Sequence, residues 1–281
     1  MDKQANLEEI ILKTIDIPSI PAVAGKVLKL SNDDGASVDE LERIILTDQS
    51  FSTRMLKIAN SPYFGRSRNI DSISTAVMVI GFKNMKSLVI ASAIKDLYKK
   101  SGRYEKGFWE HSLAVSVCAS VLASRSRLVQ SEEAMIAGLV HDVGCNVIYN
   151  SSPDAYAAVM EKAYKEGKPL IEMERECLGF DHCAAGGLIA GKWRLPIAME
   201  IAMAHHHKET FSGIPDSVND VNRNLCKIVY LADAICFDLG LGMKSPETAL
   251  IIDLGDLGLQ ADKLDEIKEE VQRLYSEAPR D

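Results

Sequence analysis

Aromatic residues are scarce in this sequence, at 6% of its 281 positions, and no apolar run reaches the ~18 residues that a membrane-spanning helix needs. Few aromatics beside many alanines, leucines and isoleucines favour helices over a β-sandwich. The sequence does not open with a basic stretch followed by an apolar one, so no secretory signal is visible. We therefore expect a cytoplasmic protein that does not contact a membrane.

An overall excess of basic residues is also missing. The formal net charge is −8, which argues against general nucleic-acid binding. The charge is unevenly spread, because Phe51–Lys106 holds eleven Lys and Arg against three Asp and Glu. This segment either presents solvated helix faces or forms a docking surface for an acidic partner or a phosphate-bearing ligand.

The six cysteines include no CxxC pair. In a reducing compartment they are expected to be small buried hydrophobes, with zinc ligation the less favoured alternative.

Apolar residues recur at helical spacing along the chain, which predicts an all-α, multi-helix bundle. Ser37, and either Ser72 or Ser74, stand where helix N-caps are expected, and Gly81 is expected to end the helix that follows the second cap. In the second half, the predicted helices span 108–128, 132–143, 153–166, 181–192, 196–207, 221–239 and 262–275. Gly144 is expected to end the second of these.

A polar stretch at Lys100–Lys106 suggests an internal boundary. The predicted units are an N-terminal helical unit (1–105), a second helical unit packed against it (106–240) and a C-terminal helical extension (241–281).

Histidines are absent from the first 110 residues and then occur six times, at His111, His141, His182, His205, His206 and His207. Two aspartates accompany them. Asp142 directly follows His141, and Asp233 interrupts an apolar helical stretch, where an unpaired carboxylate would be costly.

Each histidine alone has an ordinary explanation. His111 is compatible with a half-buried position, His182 with the residue after an N-cap at Asp181, and the run of three with an exposed helix end. Together with the two aspartates, however, the histidines favour a metal site, because imidazole and carboxylate donors suit zinc, iron, manganese or nickel.

The His141-Asp142 pair has a geometric requirement. Consecutive residues of a helix diverge by about 100°, so both side chains reach one region only near a helix end. A carboxylate in that position is suited to bridge two metal ions, which together can activate water for attack on phosphorus.

The order of these residues resembles the HD superfamily of metal-dependent phosphohydrolases, and the longer pattern is similar to the HDOD domain, the HD-related output domain of bacterial signalling proteins. The resemblance covers about residues 15 to 237. The motifs that carry it are Pro18–Pro21, Asp48–Gly65 with its NSPYFG ending, Ile80-Gly81, Phe108–Ser112, Gly138–Gly144, Gly179–His182 and Trp193–Pro196.

The resemblance implies a fold and a set of metal ligands. The fold is an N-terminal helical unit packed on an HD-type helical domain. One metal ion would be held by His111, His141, Asp142 and Asp233, and a second by His182 with two of the three consecutive histidines. Counting from Trp193–Pro196 favours His206 and His207, which we adopt, whereas counting back from Gly213–Pro215 favours His205 and His206.

HDOD domains are usually regulatory modules, whereas the related HD-GYP phosphodiesterases hydrolyse cyclic di-GMP. This sequence keeps the ligand set, yet it departs from those enzymes at three positions. Cys145 stands in place of their phosphate-holding lysine, Gly107 in place of a glutamate found in some of them, and Gly213–Pro215 is an incomplete match to Gly-Tyr-Pro. Loss of a phosphate-binding cation lowers the rate of such a reaction strongly.

A second group of residues suggests recognition. The NSPYFG turn carries two aromatics among basic residues, and an exposed loop of this kind suits a protein partner or an anionic ligand, although its aromatics could equally pack into the core. The candidate contact residues are Arg54, Lys57, Tyr63, Phe64, Arg66 and Arg68.

Two hypotheses follow. In the first, the chain is a signal-transduction protein that binds a signalling partner or a nucleotide-like ligand and holds one or two divalent metal ions. In the second, it is a metal-dependent phosphohydrolase acting on a cyclic dinucleotide or nucleotide, with Asp142 as its catalytic bridging residue.

Overall fold

Helices form every regular element in the part of the chain that the structure, a computed structural model, describes. The described residues are 3–19, 22–31, 37–48, 52–53, 55–56, 59–60, 70–82, 85, 89, 104–243 and 252–278. The all-α prediction is confirmed.

Among the described residues of the first hundred, four helices occur: α1 (Lys3–Thr14), α2 (Ala22–Ser31), α3 (Val38–Leu46) and α4 (Ile73–Ile80). Both predicted serine caps are present. The Ser37 hydroxyl accepts the Glu40 N–H at 3.2 Å, and the Ser72 hydroxyl accepts the Thr75 N–H at 3.1 Å. Gly81 ends α4 as predicted, at a φ of 91° that favours glycine.

Asn60, from the NSPYFG motif, contacts Ile70 through both ends of its amide. Its Oδ1 accepts the Ile70 N–H at 2.8 Å, and its Nδ2 donates to the Ile70 carbonyl at 2.7 Å. The side chain thus imitates a main-chain partner and holds the positions before and after 61–69 side by side.

Nine helices follow within the described ranges 104–243 and 252–278. They are α5 (Glu105–Ser126), α6 (Ser131–Val140), α7 (Val143–Ser151), α8 (Pro153–Glu166), α9 (Leu170–Leu178), α10 (His182–Trp193), α11 (Ile197–His205), α12 (Asp220–Asp238) and α13 (Leu264–Glu277). Short 3₁₀ turns occur at Lys208–Gly213, Leu254–Leu257 and Ala261–Lys263.

Two features of this region differ from the sequence prediction. The helix predicted over 132–143 ends at Val140, and a separate helix, α7, begins at Val143, so Gly144 lies in a first helical turn and does not end a helix. Helix α9 was not predicted at all. The other predicted helices of the second half agree with the structure to within three residues.

Buried side chains of the described residues form two large hydrophobic clusters. One draws on α2, α3 and α4, from Val27 to Val89. The other surrounds α5, which packs against α6, α12 and α13, and it also takes in Ile11, Ile15 and Ile17 from the N-terminal end. The division into three sequence units stays a prediction.

Trp193 fastens the end of α10 to the segment after α1. Its indole N–H donates to the Pro18 carbonyl at 2.8 Å, and the ammonium of Lys192 donates to the Ile17 carbonyl at 3.1 Å. These contacts join Pro18–Pro21 to Trp193–Pro196, two of the motifs that carry the family resemblance.

Across the described ranges, no helix combines the length and the apolar character required to cross a membrane.

Candidate metal centre

Five structural elements deliver the predicted ligands to one region of the larger cluster. The side chains come from α5, the turn between α6 and α7, the first residue of α10, the two residues after α11, and α12. In that order they are His111, His141 with Asp142, His182, His206 with His207, and Asp233.

The turn between α6 and α7 turns both His141 and Asp142 toward this region. His141, which directly follows α6, keeps helical angles, whereas Asp142 has a φ of −98° and a ψ of 16°, which breaks the helix. Gly144 permits the close approach of α10, because a Cβ there would lie 2.1 Å from the His182 carbonyl oxygen. The break between helices is therefore what brings the pair to a common point.

The first group of donors is His111, His141, Asp142 and Asp233. His111 Nε2 lies 2.9 Å from Asp233 Oδ1 and 3.8 Å from Asp142 Oδ2, and His141 Nε2 lies 3.3 Å from Asp142 Oδ2 and 3.9 Å from Asp233 Oδ1. Both imidazoles are buried, with 1% and 0% of the residue exposed.

Three atoms of this first group are buried without a hydrogen-bond partner among the described residues: His111 Nε2, His141 Nε2 and Asp233 Oδ1. His111 Nε2 and Asp233 Oδ1 lie only 2.9 Å apart, but the two groups are not aligned as a hydrogen bond. Buried polar atoms without partners are rare and costly, and three that converge match the donor set of a metal ion. The residues present therefore fit the ion that the sequence implies.

The second group of donors consists of Asp142, His182, His206 and His207. His182 Nε2 lies 3.2 Å from His206 Nε2 and 3.0 Å from His207 Nε2. Asp142 Oδ1 lies 3.3 Å from His206 Nε2 and 3.6 Å from His182 Nε2. Asp142 thus turns one carboxylate oxygen toward each group.

His205 points elsewhere. It is half-buried, and its Nδ1 lies 2.9 Å from the Thr210 carbonyl oxygen. The structure brings His206 and His207, the pair that we adopted, beside His182.

Main-chain carbonyls orient several of the rings. His141 Nδ1 lies 2.7 Å from the Gly138 carbonyl oxygen, and His206 Nδ1 lies 3.2 Å from those of Ala202 and Met203. A protonated Nδ1 leaves the lone pair of Nε2 facing the cluster, which is the form that binds metal ions.

The charges of the cluster also suit a cation. Burial alone would raise the pKa of Asp142, but the imidazoles of His141, His206 and His182 hold it well below its usual range. Burial, together with His206 and His182, lowers the pKa of His207, so that ring is neutral. Burial opposes protonation of His206, yet Cys183 and Asp142 raise its pKa to about 10. An ionised carboxylate among imidazoles is the state that accepts a metal ion in exchange for protons.

Sequence reasoning missed three residues that contact the second group. Glu174 of α9 is fully buried, and its Oε2 lies 2.6 Å from His182 Nδ1. Cys183 Sγ lies 3.7 Å from His206 Nδ1, and Cys145 is close enough to Asp142 and His182 to share an ion with them. A usable signal existed for Glu174, which occupies the apolar stripe of its helix between Ile171 and Leu178.

A cavity of about 60 Å³ adjoins the cluster, which is room for a few water molecules. Its polar lining consists of Cys145 and five of the predicted ligands, namely His111, Asp142, His182, His207 and Asp233. The remaining described residues around it are apolar or aromatic and include no Lys or Arg.

Six residues were predicted to contact a partner. Arg54, Lys57, Tyr63, Phe64, Arg66 and Arg68 all lie outside the described residues.

Curated relatives match only part of their own length. An uncharacterized protein of Treponema pallidum (strain Nichols) is 22% identical over 197 residues, which is 68% of this chain and 38% of the relative. The uncharacterized protein YuxH of Bacillus subtilis (strain 168) is 27% identical over 103 residues, 37% of this chain and 25% of YuxH. The chain therefore spans well under half of each of these relatives.

Solved structures share the fold over nearly the whole chain. An HDOD domain protein of unknown function from Geobacter sulfurreducens has a TM-score of 0.77 at 24% identity, covering 97% of this chain and 98% of that one. A candidate signal transduction protein from Marinobacter aquaeolei VT8 also scores 0.77, at 19% identity, covering 98% and 66%. A candidate phosphohydrolase from Shewanella amazonensis SB2B scores 0.71 at 24% identity, covering 95% and 97%.

A family model described as the HDOD domain matches residues 17–209, which is more than half of the chain. Helices α5 to α11, with the donors on them and directly after them, lie within that match, whereas α12, which holds Asp233, lies beyond it. The chain therefore belongs to the HDOD domain family.

Proposed function

We propose that this chain is a bacterial signal-transduction protein whose HD-type centre binds one or two divalent transition metal ions, and that it acts by binding a protein partner or a nucleotide-like ligand. The observation that carries the proposal is the convergence of His111 Nε2, His141 Nε2 and Asp233 Oδ1, buried and without hydrogen-bond partners among the described residues. The HDOD family and the structural neighbour named as a candidate signal transduction protein support it.

The chemistry of the donors limits the ion. Imidazole and carboxylate ligands suit iron, manganese, zinc or nickel better than magnesium or calcium, which prefer oxygen alone. One ion would be held by His111, His141, Asp142 and Asp233, and a second by Asp142, His182, His206 and His207. When bound, the ions would join five elements of the larger hydrophobic cluster and stabilise their native arrangement.

Three features favour a regulatory role over turnover. The cavity beside the donors is lined by no Lys or Arg among the described residues, so it offers no protein cation to a phosphate group. Cys145 is buried where the related enzymes place a lysine. A Cβ at Gly107 would lie 2.7 Å from Met243 Sδ, so Met243 already fills the space that a glutamate at that position would need.

A metal-dependent phosphohydrolase is the second candidate, and one observation favours it. Asp142 turns one oxygen toward each group of donors, as a carboxylate shared by two ions must. A metal pair would supply positive charge to a bound phosphate group. Two structural neighbours are named as candidate phosphohydrolases, one of them metal-dependent.

Elemental analysis of the metal-loaded protein, joined to a turnover screen, tests both candidates. We expect one or two ions per chain, fewer in His141→Ala, and no hydrolysis of cyclic dinucleotides, nucleotides or generic phosphodiesters. A wild type that binds no metal would contradict the proposed centre. Turnover that disappears in Asp142→Asn would instead favour the hydrolase.

A further inference from the structure

Glu174 is a fully buried carboxylate whose two oxygens are both occupied by hydrogen bonds. Oε2 accepts from the ring Nδ1 of His182 at 2.6 Å and from the His182 main-chain N–H at 2.9 Å. Oε1 accepts from the Tyr156 hydroxyl. A lone buried charge is costly, so the three donors on His182 and Tyr156 are what stabilise this carboxylate away from water.

No other histidine ring of the cluster has a carboxylate as the partner of its Nδ1 among the described contacts. Among the described contacts, His111, His141 and His206 direct Nδ1 toward main-chain carbonyl oxygens, at 3.4 Å, 2.7 Å and 3.2 Å. Those carbonyl acceptors are neutral, and the one other group described beside these Nδ1 atoms is the Cys183 thiol, 3.7 Å from His206 Nδ1. Hydrogen bonds to an ionised acceptor are stronger, and a carboxylate behind an imidazole makes its other nitrogen a more basic ligand.

The two groups of donors also differ in charge. The first contains two carboxylates, Asp142 and Asp233. The second shares Asp142 and otherwise offers imidazoles and the thiols of Cys145 and Cys183. Glu174 adds a negative charge to the second group from behind His182, without occupying a coordination position. It thereby evens out the charge that two divalent ions would meet.

We propose that Glu174 is a positioning residue for a second metal ion: it holds His182 with its proton on Nδ1, aims Nε2 at the ion and adds a carboxylate behind the second group. This inference rests on the proposed metal-binding function. The ion it favours is one with affinity for imidazole nitrogen, such as Zn²⁺.

The charge of Glu174 can be removed with little change in shape. In Glu174→Gln, the amide oxygen can still accept from His182 while the amide N–H₂ donates to the Tyr156 hydroxyl, so the packing is kept. Glu172→Gln is the matched control, since Glu172 is exposed on the same helix. Loss of a carboxylate behind a ligating histidine weakens metal binding by about 10- to 100-fold.

Zn²⁺ titration of the full chain, freed of metal, separates the two ions. We expect two ions in wild type and in Glu172→Gln, whereas in Glu174→Gln the first binds as in wild type and the second about 10- to 100-fold more weakly. A wild type with two ions and a Glu174→Gln variant indistinguishable from it would overturn the inference alone. A wild type that binds one ion would also overturn it, and one that binds none would overturn the proposed function as well.

A measurement on wild type keeps the inference testable even when Glu174→Gln does not fold. In ¹⁵N-histidine NMR of the Zn²⁺-loaded chain, His182 should carry its proton on Nδ1 and the metal on Nε2. A His182 ring that binds Zn²⁺ through Nδ1, or that has no proton there, would show that Glu174 does not position it.

Discussion

Backbone angles at the end of α11 determine which of three consecutive histidines faces the cluster. The helix ends at His205. His206 keeps right-handed helical angles, with φ and ψ of −83° and −4°, whereas His207 is extended, at −100° and 147°. The rings of His206 and His207 consequently lie 4.5 Å apart, centre to centre, and both face His182. Counting from Trp193–Pro196 led us to adopt His206 and His207, while counting from Gly213–Pro215 favoured His205 and His206. The two counts differ because helical periodicity does not extend past the last turn.

This difference gives a prediction for single residues. His207→Ala removes a donor of the second group and should reduce the bound metal by up to one ion per chain. His205→Ala removes a half-buried ring bonded to a main-chain carbonyl, so it should keep the metal and cost about 1 kcal/mol of stability. Metal analysis of both variants at equal loading measures the contrast. Loss of metal in His205→Ala, with retention in His207→Ala, would reverse our assignment.

Helix ends that depend on neighbouring residues were predictable, and ends that depend on distant contacts were not. Ser37 and Ser72 cap their helices through N–H groups three residues ahead, and Asp181 accepts the Ala184 N–H at 2.8 Å in the same way. Gly144 has a different role. Its small size serves the contact with His182, thirty-eight positions later in the sequence, which a local pattern cannot reveal.

Helix α9 was missed for a related reason. One buried position in the apolar stripe of this nine-residue helix is occupied by a charged residue, Glu174. The interruption is explained only by Tyr156 and His182, on two other helices, which donate to that carboxylate. The sequence prediction therefore missed both helix α9 and Glu174.

The contact at Gly144 gives a prediction at the level of helix packing. In Gly144→Ala the new Cβ would lie 2.1 Å from the His182 carbonyl oxygen, so α7 and α10 must move apart. We expect a loss of about 3 kcal/mol in the free energy of unfolding, since overpacking typically costs 1–3 kcal/mol, together with weaker metal binding.

The matched variant is Gly191→Ala, in α10, where a Cβ would meet no atom within 4 Å. There the higher helix propensity of alanine should raise stability, by up to about 1 kcal/mol. Urea denaturation of both variants measures the difference. Equal stability of the two would mean that α7 and α10 do not pack as closely as described.

For the chain as a whole, the fold class and the identity of the candidate ligands could be predicted from the sequence. The all-α prediction followed from helical periodicity and composition, and the family followed from motifs spread over most of the chain. The ligands come from α5, the turn between α6 and α7, α10, the residues after α11, and α12, which only the tertiary fold brings together. Sequence order could therefore name them, and the family resemblance assigned them to two ions, but neither gave the distances that place one Asp142 oxygen beside each group.

The two hydrophobic clusters predict where a metal ion should stabilise the chain. All candidate ligands lie on elements of the larger cluster, around α5, and none on the cluster formed by α2, α3 and α4. A ligand present at about 100 times its dissociation constant stabilises the state that binds it by about 2.7 kcal/mol. Addition of Zn²⁺ to metal-free protein should therefore slow amide hydrogen exchange most in α5, α6, α10 and α12, and least in α2–α4. His141→Ala, which removes a donor of the first group, should show a smaller change in the same helices. Slower exchange throughout α2–α4 would instead mean that the two clusters unfold as one unit, and unchanged exchange around α5 would mean that the ion contributes nothing to holding those helices together.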